Sequence, residues 1–205
     1  MASTILNPRP PLHAVAGRYG ARGDAPGVVE LSVREGLAVA MIAARKGKRG
    51  QLDEALWRVA KVAPPDGPKC VAYGEVSLVG IAPAQWLAVA EGSTAASFVA
   101  SLTQALGESA SVTDHSSART VIRVAGARAR DTLAKGCPID LHPQMFGQGS
   151  AATTRIAHIG AILWQPEKAP AYDIAVPSSL ARSFWSWLTA SAGEFGYTVL
   201  PDEHG

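Results

Sequence analysis

Apolar and polar positions divide the chain into short elements that recur. From Gly36, "GLAVAMIA" sets Leu37, Val39 and Met41 at every second position, the period of a strand. "QLDEALWRVAKVAPP" places Leu52, Leu56 and Val59 at i, i+4 and i+7, one apolar face of a helix. Asp53 and Glu54 fall in its first turn and Lys61 in its last, as the helix dipole prefers, and Pro64 and Pro65 stop it. Two extended runs follow, "CVAYGEVSLVGI" and "WLAVA", split by "APAQ" with Pro83. "STAASFVASLTQALG" predicts a second helix, capped by Ser93 or Thr94, lined by Phe98, Leu102 and Leu106, and ended by Gly107.

The succession then returns. "ARTVIRVAG" reads as a strand with Ile122 and Val124 on one face and Arg119 and Arg123 on the other. "ARARDTLAKG" is a short helix closed by Gly136, and "TTRIAHIGAILWQ" and "AYDIAVP" are extended runs around "PEKAP". "SSLARSFWSWLTASAGEFG" is a closing helix with Leu180, Phe184, Trp187 and Leu188 on its face. "APAQWLAVAEGSTAASFVASLTQALG" aligns with "APAYDIAVPSSLARSFWSWLTASAGEFG": a proline turn, a strand opening on an aromatic residue, a small polar cap and an amphipathic helix. The chain therefore reads β-α-β-β-α twice, at an offset of roughly eighty residues, longer than a solenoid period. The predicted class is α+β, a duplicated β-α-β-β-α unit forming two antiparallel sheets with packed helices about a pseudo-twofold. The expected organisation is an extended N-terminal arm over 1–30, a first α+β half over 31–110, a second over 111–200 and a tail at 201–205, the two halves forming one compact domain. The arm contains "NPRPPL" and "YGARGDAPG", whose prolines and glycines disfavour a packed element.

Composition narrows the class of function. Hydrophobic residues make up 47% and charged residues 18%, enough to build a core. Nineteen basic against seventeen acidic residues leave a net charge of +2, which excludes a global pull toward nucleic acid. Two cysteines are too few for a secreted disulfide scaffold. The start "MASTILNPRPPLHAVAG" has no apolar segment behind a basic one, and no apolar run is long enough to span a bilayer. The expectation is a soluble cytoplasmic protein.

Candidate chemistry concentrates in "LAKGCPIDLHPQMFGQGS", Leu133–Ser150, which brings Cys137, Asp140 and His142 within six positions. A nucleophilic cysteine needs a stabilised thiolate, yet Cys137 follows a helix C-terminus, where the dipole has the wrong sign. Pro138 enforces an extended path, so a Cys–His pair would need a chain reversal; a buried, inert cysteine is the expectation. Zinc would need a fourth ligand from His115 or His158, without a paired Cys-x-x-Cys cluster. "GQGSAA" at Gly147–Ala152 imitates a dinucleotide loop but does not sit between a strand and a helix. In "TDHSSAR", Asp114, His115 and Ser116 are consecutive and point alternately to opposite faces, so they form no triad; backbone bonding by Asp114 or Ser116 is expected instead. "ARKGKRG", with Arg45, Lys46, Lys48 and Arg49, reads as a solvated loop or as a docking patch for an acidic partner. In the closing helix Trp185 lies about 140° from Leu180, off the core face, and is covered either by another part of the chain or by another protein.

The run "DHSSARTVIRVAGARARDTLAKGCPIDLHPQMF", above all "LAKGCPIDLHP", resembles the gamma subunit of heterotetrameric sarcosine oxidase, as does "APAYDIAVPSSLARSFWSWL". The resemblance covers roughly residues 70–197. Asp114, Ser116, the strand through Val124 and Gly126 also resemble the folate-binding fold of glycine-cleavage aminomethyltransferases. The resemblance implies a structural, non-catalytic subunit of a flavin-dependent complex that oxidatively demethylates sarcosine to glycine, in one-carbon metabolism. It implies no catalytic, cofactor or metal residues on this chain: FAD, FMN, NAD and tetrahydrofolate belong to the alpha and beta subunits and zinc to the delta subunit, and all three subunits are the expected partners. Two alternatives stand beside it: a folate-binding aminomethyltransferase-like protein acting alone, and a gamma-type subunit of a related N-methylamino-acid dehydrogenase such as N-methylglutamate dehydrogenase. The expected partner interface comprises Trp185, Ile139, Leu141 and Phe146.

Overall fold

The structure, a computed structural model, describes residue 12 and residues 14–20 and 28–201. Its elements run β1 (Gly17–Tyr19), β2 (Glu30–Arg34), β3 (Ala38–Ala44), α1 (Arg49–Ala60), β4 (Cys70–Tyr73), β5 (Val76–Ala82), β6 (Gln85–Ala90) and α2 (Ala95–Leu106). They continue as β7 (Ala110–Asp114), β8 (Arg119–Ala125), α3 (Ala129–Ala134), β9 (Ala151–Ile156), β10 (Ile159–Trp164), β11 (Ala171–Pro177), α4 (Ala181–Ala192) and β12 (Tyr197–Val199).

The α+β class with two sheets and packed helices is observed. One sheet has the order β4-β5-β6-β3-β7 and the other β1-β12-β2-β8-β11-β10-β9. Matching β2 to β7, β3 to β8 and β4–β6 to β9–β11 turns the first order into the core of the second, as a duplication requires. Each copy lends its first strand to the other: β2 pairs with β8, and β7 pairs with β3. The halves thus interlock through exchanged strands.

The repeating unit is longer than the sequence pattern suggests, β-β-α-β-β-β-α. "CVAYGEVSLVGI" is a hairpin, with Tyr73 opposite Val76 across Gly74 at φ 57°. "TTRIAHIGAILWQ" is another, with Ile156 opposite Ile159 across Ala157 and His158, both left-handed at φ 49° and 66°. Two-residue hairpins usually signal themselves by Asn-Gly or Asp-Gly, and Ala-His gives no such signal. The sheets are also not wholly antiparallel, because β12 runs parallel to β2. Within the stretch expected to be an unpacked arm, Leu12 is buried and β1 pairs with β12. Residues 1–11, 13 and 21–27 lie outside the described residues, as does the tail beyond Pro201.

Four layers result. Leu52, Leu56, Phe98 and Leu102 from α1 and α2 pack on Ile42, Leu78, Trp86 and Ala88 of the five-stranded sheet. Leu133, Phe184 and Leu188 from α3 and α4 pack on Leu31, Ile122, Val124 and Ile174 of the seven-stranded sheet. The inner faces meet through Val39, Val79, Leu87 and Val89 against Val121, Ile162, Trp164 and Ala175. Each central strand is therefore apolar on both faces, which is why "TVI" and "IAV" read as unbroken runs rather than clean alternation. At one side the two sheets are stitched together: Ala151 N donates to Pro68 O at 3.0 Å and Cys70 N to Gly149 O at 2.8 Å. A Cβ on Gly80 would lie 2.0 Å from Gly67 O, so that strand crossing requires glycine.

The helices follow expectation with local corrections. Thr94 caps α2 by accepting from Ser97 N at 3.2 Å, and Gly107 ends it at φ 47°. The first turn of α1 begins at Arg49 and holds no acid. Asp53 and Glu54 instead pair one turn apart with Arg49 (2.6 Å) and Arg58 (3.6 Å). Val59, expected in the core, is 44% exposed, and so is much of Leu180. Gly136 is not a left-handed cap; Lys135 ends α3 in right-handed conformation. Gly136 is instead a spacer, since a Cβ there would meet Trp187 Cζ2 at 2.5 Å. Among the described residues no helix is long and apolar enough to cross a membrane.

Candidate functional site

The residues singled out in Leu133–Ser150 are engaged in folding the segment itself. Cys137 is buried, and burial pushes its thiol pKa up, away from the thiolate a nucleophile needs. Asp140 Oδ1 accepts from His142 N (2.9 Å), His142 Nδ1 accepts from Gln144 N (3.3 Å), and His142 O accepts from Phe146 N (2.8 Å). These are the local side-chain bonds of turns. The glycine run closes the sheet stitching: Gly149 N donates to Gln165 O at 2.8 Å, and Ser150 Oγ accepts from Gly147 N at 3.1 Å. No group of three or more His, Cys, Asp or Glu side chains able to hold a metal ion occurs among the described residues.

The expected interface set divides. Leu141 and Phe146 are 3% and 4% exposed and belong to the chain's own core, where Phe146 packs on Tyr172 with ring centroids 6.3 Å apart. They are corrected from partner contacts to core residues: a short proline-stiffened loop turns both side chains inward. Ile139 and Trp185 are half-buried against that same core and keep part of their surface in solvent.

Asp114 and Ser116 form a second local knot. Asp114 Oδ1 accepts from Ser116 N (2.8 Å), and this backbone bond is the main cause that holds the carboxyl below its ordinary pKa. Ser116 Oγ accepts from Val39 N at 2.9 Å and donates to Val39 O at 3.2 Å. The turn between β7 and β8 is thereby fastened to β3, and the hydroxyl is consumed in backbone pairing.

A charged cleft of about 570 Å³ is lined by Glu30, Arg34, Glu35, Glu91, Arg123 and Glu167 among others. Beneath it Asp173, 3% exposed, sits between two guanidinium groups. Arg123 stands directly opposite it across the strand pair. Its Nε and Nη2 donate to the two carboxylate oxygens at 2.7 and 2.9 Å, and Arg34 Nη1 donates to Asp173 Oδ2 at 3.1 Å. The bond to Asp173 is the main cause of the raised pKa of Arg123. Arg34 also pairs with Glu91, which follows β6, so this cluster ties one sheet to the other. Arg123 reaches Glu167 at 3.7 Å.

Both guanidinium groups thus have carboxylate partners, and Glu30 and Glu35 add two more negative charges to the lining. A folate, whose glutamyl tail is anionic, would face a net acidic wall here; the cleft does not fit that cofactor. The cluster itself was not singled out in the sequence. Its one signal is Asp173 inside the apolar run "AYDIAVP", where a buried acid demands a cationic partner.

Comparison with known proteins places these features in a lineage. A family described as "Sarcosine oxidase, gamma subunit family" matches residues 54–194. The chain is 36% identical over 121 residues to the sarcosine oxidase subunit gamma of Corynebacterium sp. (strain P-1), covering 58% of each chain. It is 40% identical over 91 residues to the subunit gamma of Arthrobacter sp., covering 43% of each. These matches span less than two thirds of the relatives' length. Among solved structures it resembles a chain of the heterotetrameric sarcosine oxidase from Corynebacterium sp. U-96, in complex with pyrrole 2-carboxylate, with TM-score 0.73, 28% identity, and 82% of this chain and 88% of that chain covered. It also resembles the glycine cleavage system aminomethyltransferase T from Bartonella henselae, with TM-score 0.62, 14% identity, and 85% of this chain and 48% of that chain covered; this likeness shows the fold alone.

Proposed function

Since the chain belongs to the sarcosine oxidase gamma subunit family, we propose that it is the non-catalytic structural subunit of a heterotetrameric, flavin-dependent sarcosine oxidase, acting in the cytoplasm. The complex as a whole demethylates sarcosine oxidatively to glycine. Alpha, beta and delta subunits are its partners, and FAD, FMN, NAD, tetrahydrofolate and zinc reside on them. This chain buries surface on those partners and holds them in place.

The observation that carries the reading is the match to a chain of the heterotetrameric enzyme over 88% of that chain's length. The side chains agree with it. The thiols of Cys70 and Cys137 are buried, and the Asp140–His142 turn, the Ser116 knot and the paired arginines of the cleft engage the chain's own backbone or one another.

The test is co-expression of the tagged chain with the candidate partner subunits. The reading expects flavin absorbance to co-purify with the tag, and the purified chain alone to give no heat on titration with tetrahydrofolate. Tight tetrahydrofolate binding by the chain alone would overturn the non-catalytic assignment. Purification of the tagged chain without any flavoprotein would overturn the assignment to the complex.

A further inference from the structure

The last turn of α1 carries Trp57, 58% exposed, and Val59, 44% exposed. Successive residues on a helix turn by 100°, so these two side chains stand about 200° apart and leave opposite sides of the helix. The core is made by Leu52, Ala55, Leu56 and Ala60, and the end of the helix is uncovered on both sides. A tryptophan gains much from burial, and Trp57, largely exposed on its own side of the helix, is the kind of side chain that anchors a contact.

Charge says what kind of surface would cover it. Residues 45–66 hold six basic and three acidic side chains, whereas the whole chain has a net charge of only +2. The three acids are all used internally: Asp53 and Asp66 on Arg49, and Glu54 on Arg58. Arg45, Lys46, Lys48 and Lys61 have no carboxylate partner among the described residues. The unpaired cations lie at the two ends of the helix, about 18 Å apart by its length, with Trp57 between them.

We propose that α1 is the seat of an acidic partner protein, with Trp57 entering an apolar socket on that partner and the flanking cations meeting its carboxylates. The proposal rests on the subunit reading above and names the chemistry of one partner face. A nucleic acid is disfavoured, because α1 offers one aromatic side chain rather than a stacking platform, and Glu54 and Asp53 share its outer surface.

The test uses the full chain assembled with its co-expressed partner subunits. Trp57→Ala should weaken assembly about tenfold or more, as loss of an interface anchor does, while the thermal midpoint of the chain alone shifts little. Lys46→Glu with Lys61→Glu should weaken assembly and flatten its dependence on salt. Zero-length carbodiimide cross-linking of the wild-type complex should join Lys46 or Lys61 to partner Asp or Glu side chains. If the wild type forms no complex, the subunit reading falls and this inference with it. If the complex forms and both variants assemble like wild type, this inference alone is overturned. Binding abolished by nuclease, or a homodimer seated on α1, would overturn it as well.

Discussion

Asp173 concentrates the fold's least forgiving chemistry in one side chain. It is buried, and its carboxylate accepts three charge-assisted hydrogen bonds from Arg34 and Arg123. Removing one member of a buried ion cluster leaves the others desolvated and uncompensated, at a cost of about 3–5 kcal/mol. Asp173→Asn is expected to destabilise the chain by that order in denaturant unfolding; a midpoint unchanged from wild type would show that the cluster contributes nothing net. Cys70 supplies a pH signature. Burial first, and the charge of Asp173 second, push its thiol from 9.0 up to about 12. The folded chain keeps a proton that the unfolded chain releases, so the contribution of this group is constant below 9.0 and falls as pH rises from there toward about 12. The slope from this one group is about 1.4 kcal/mol per pH unit. Cys70→Ala should remove that share of the alkaline loss, and equal slopes in variant and wild type would refute the assignment. Neither feature was legible from composition or period: a buried acid is visible in "AYDIAVP", but the partner that makes it tolerable comes from a strand 50 positions away.

Among the elements, the helices were legible and the hairpins were not. Amphipathic period located α1, α2 and α4, and caps bounded α2, because those signals are local: Thr94 and Gly107 act within one turn of the helix they bound. The Ala157–His158 turn carries no glycine, so its left-handed backbone is imposed from outside. Ala157 N donates to Gly136 O at 3.1 Å, and Trp187 presses on Gly136 from α4. Gly136 therefore joins the end of α3, the β9–β10 turn and α4 at a single point. Gly136→Ala forces a methyl group into Trp187 and is expected to cost about 1–3 kcal/mol, the penalty for overpacking. Adding Trp187→Phe, which removes the contacting ring, should restore part of that loss. Strict additivity of the two substitutions in thermal unfolding would show that they are not in contact.

At the scale of the whole molecule, the duplication was readable and the strand exchange was not. Two aligned blocks disclose two copies, but nothing in a strand's own sequence says which sheet receives it, and β2 and β7 each pair outside their own copy. That exchange makes the halves mutually dependent. The segment with the densest apparent chemistry, Leu133–Ser150, is likewise a structural loop, with Leu141 and Phe146 turned into the core. The central claim, that this chain is one structural component of a four-chain enzyme, is tested most directly by native mass spectrometry of the co-expressed, purified complex. The account predicts an assembly containing one copy of this chain with three different partner chains, flavin being released with the partners on dissociation. A chain that remains at its own single mass in the presence of those partners, or that itself carries the flavin, would contradict it.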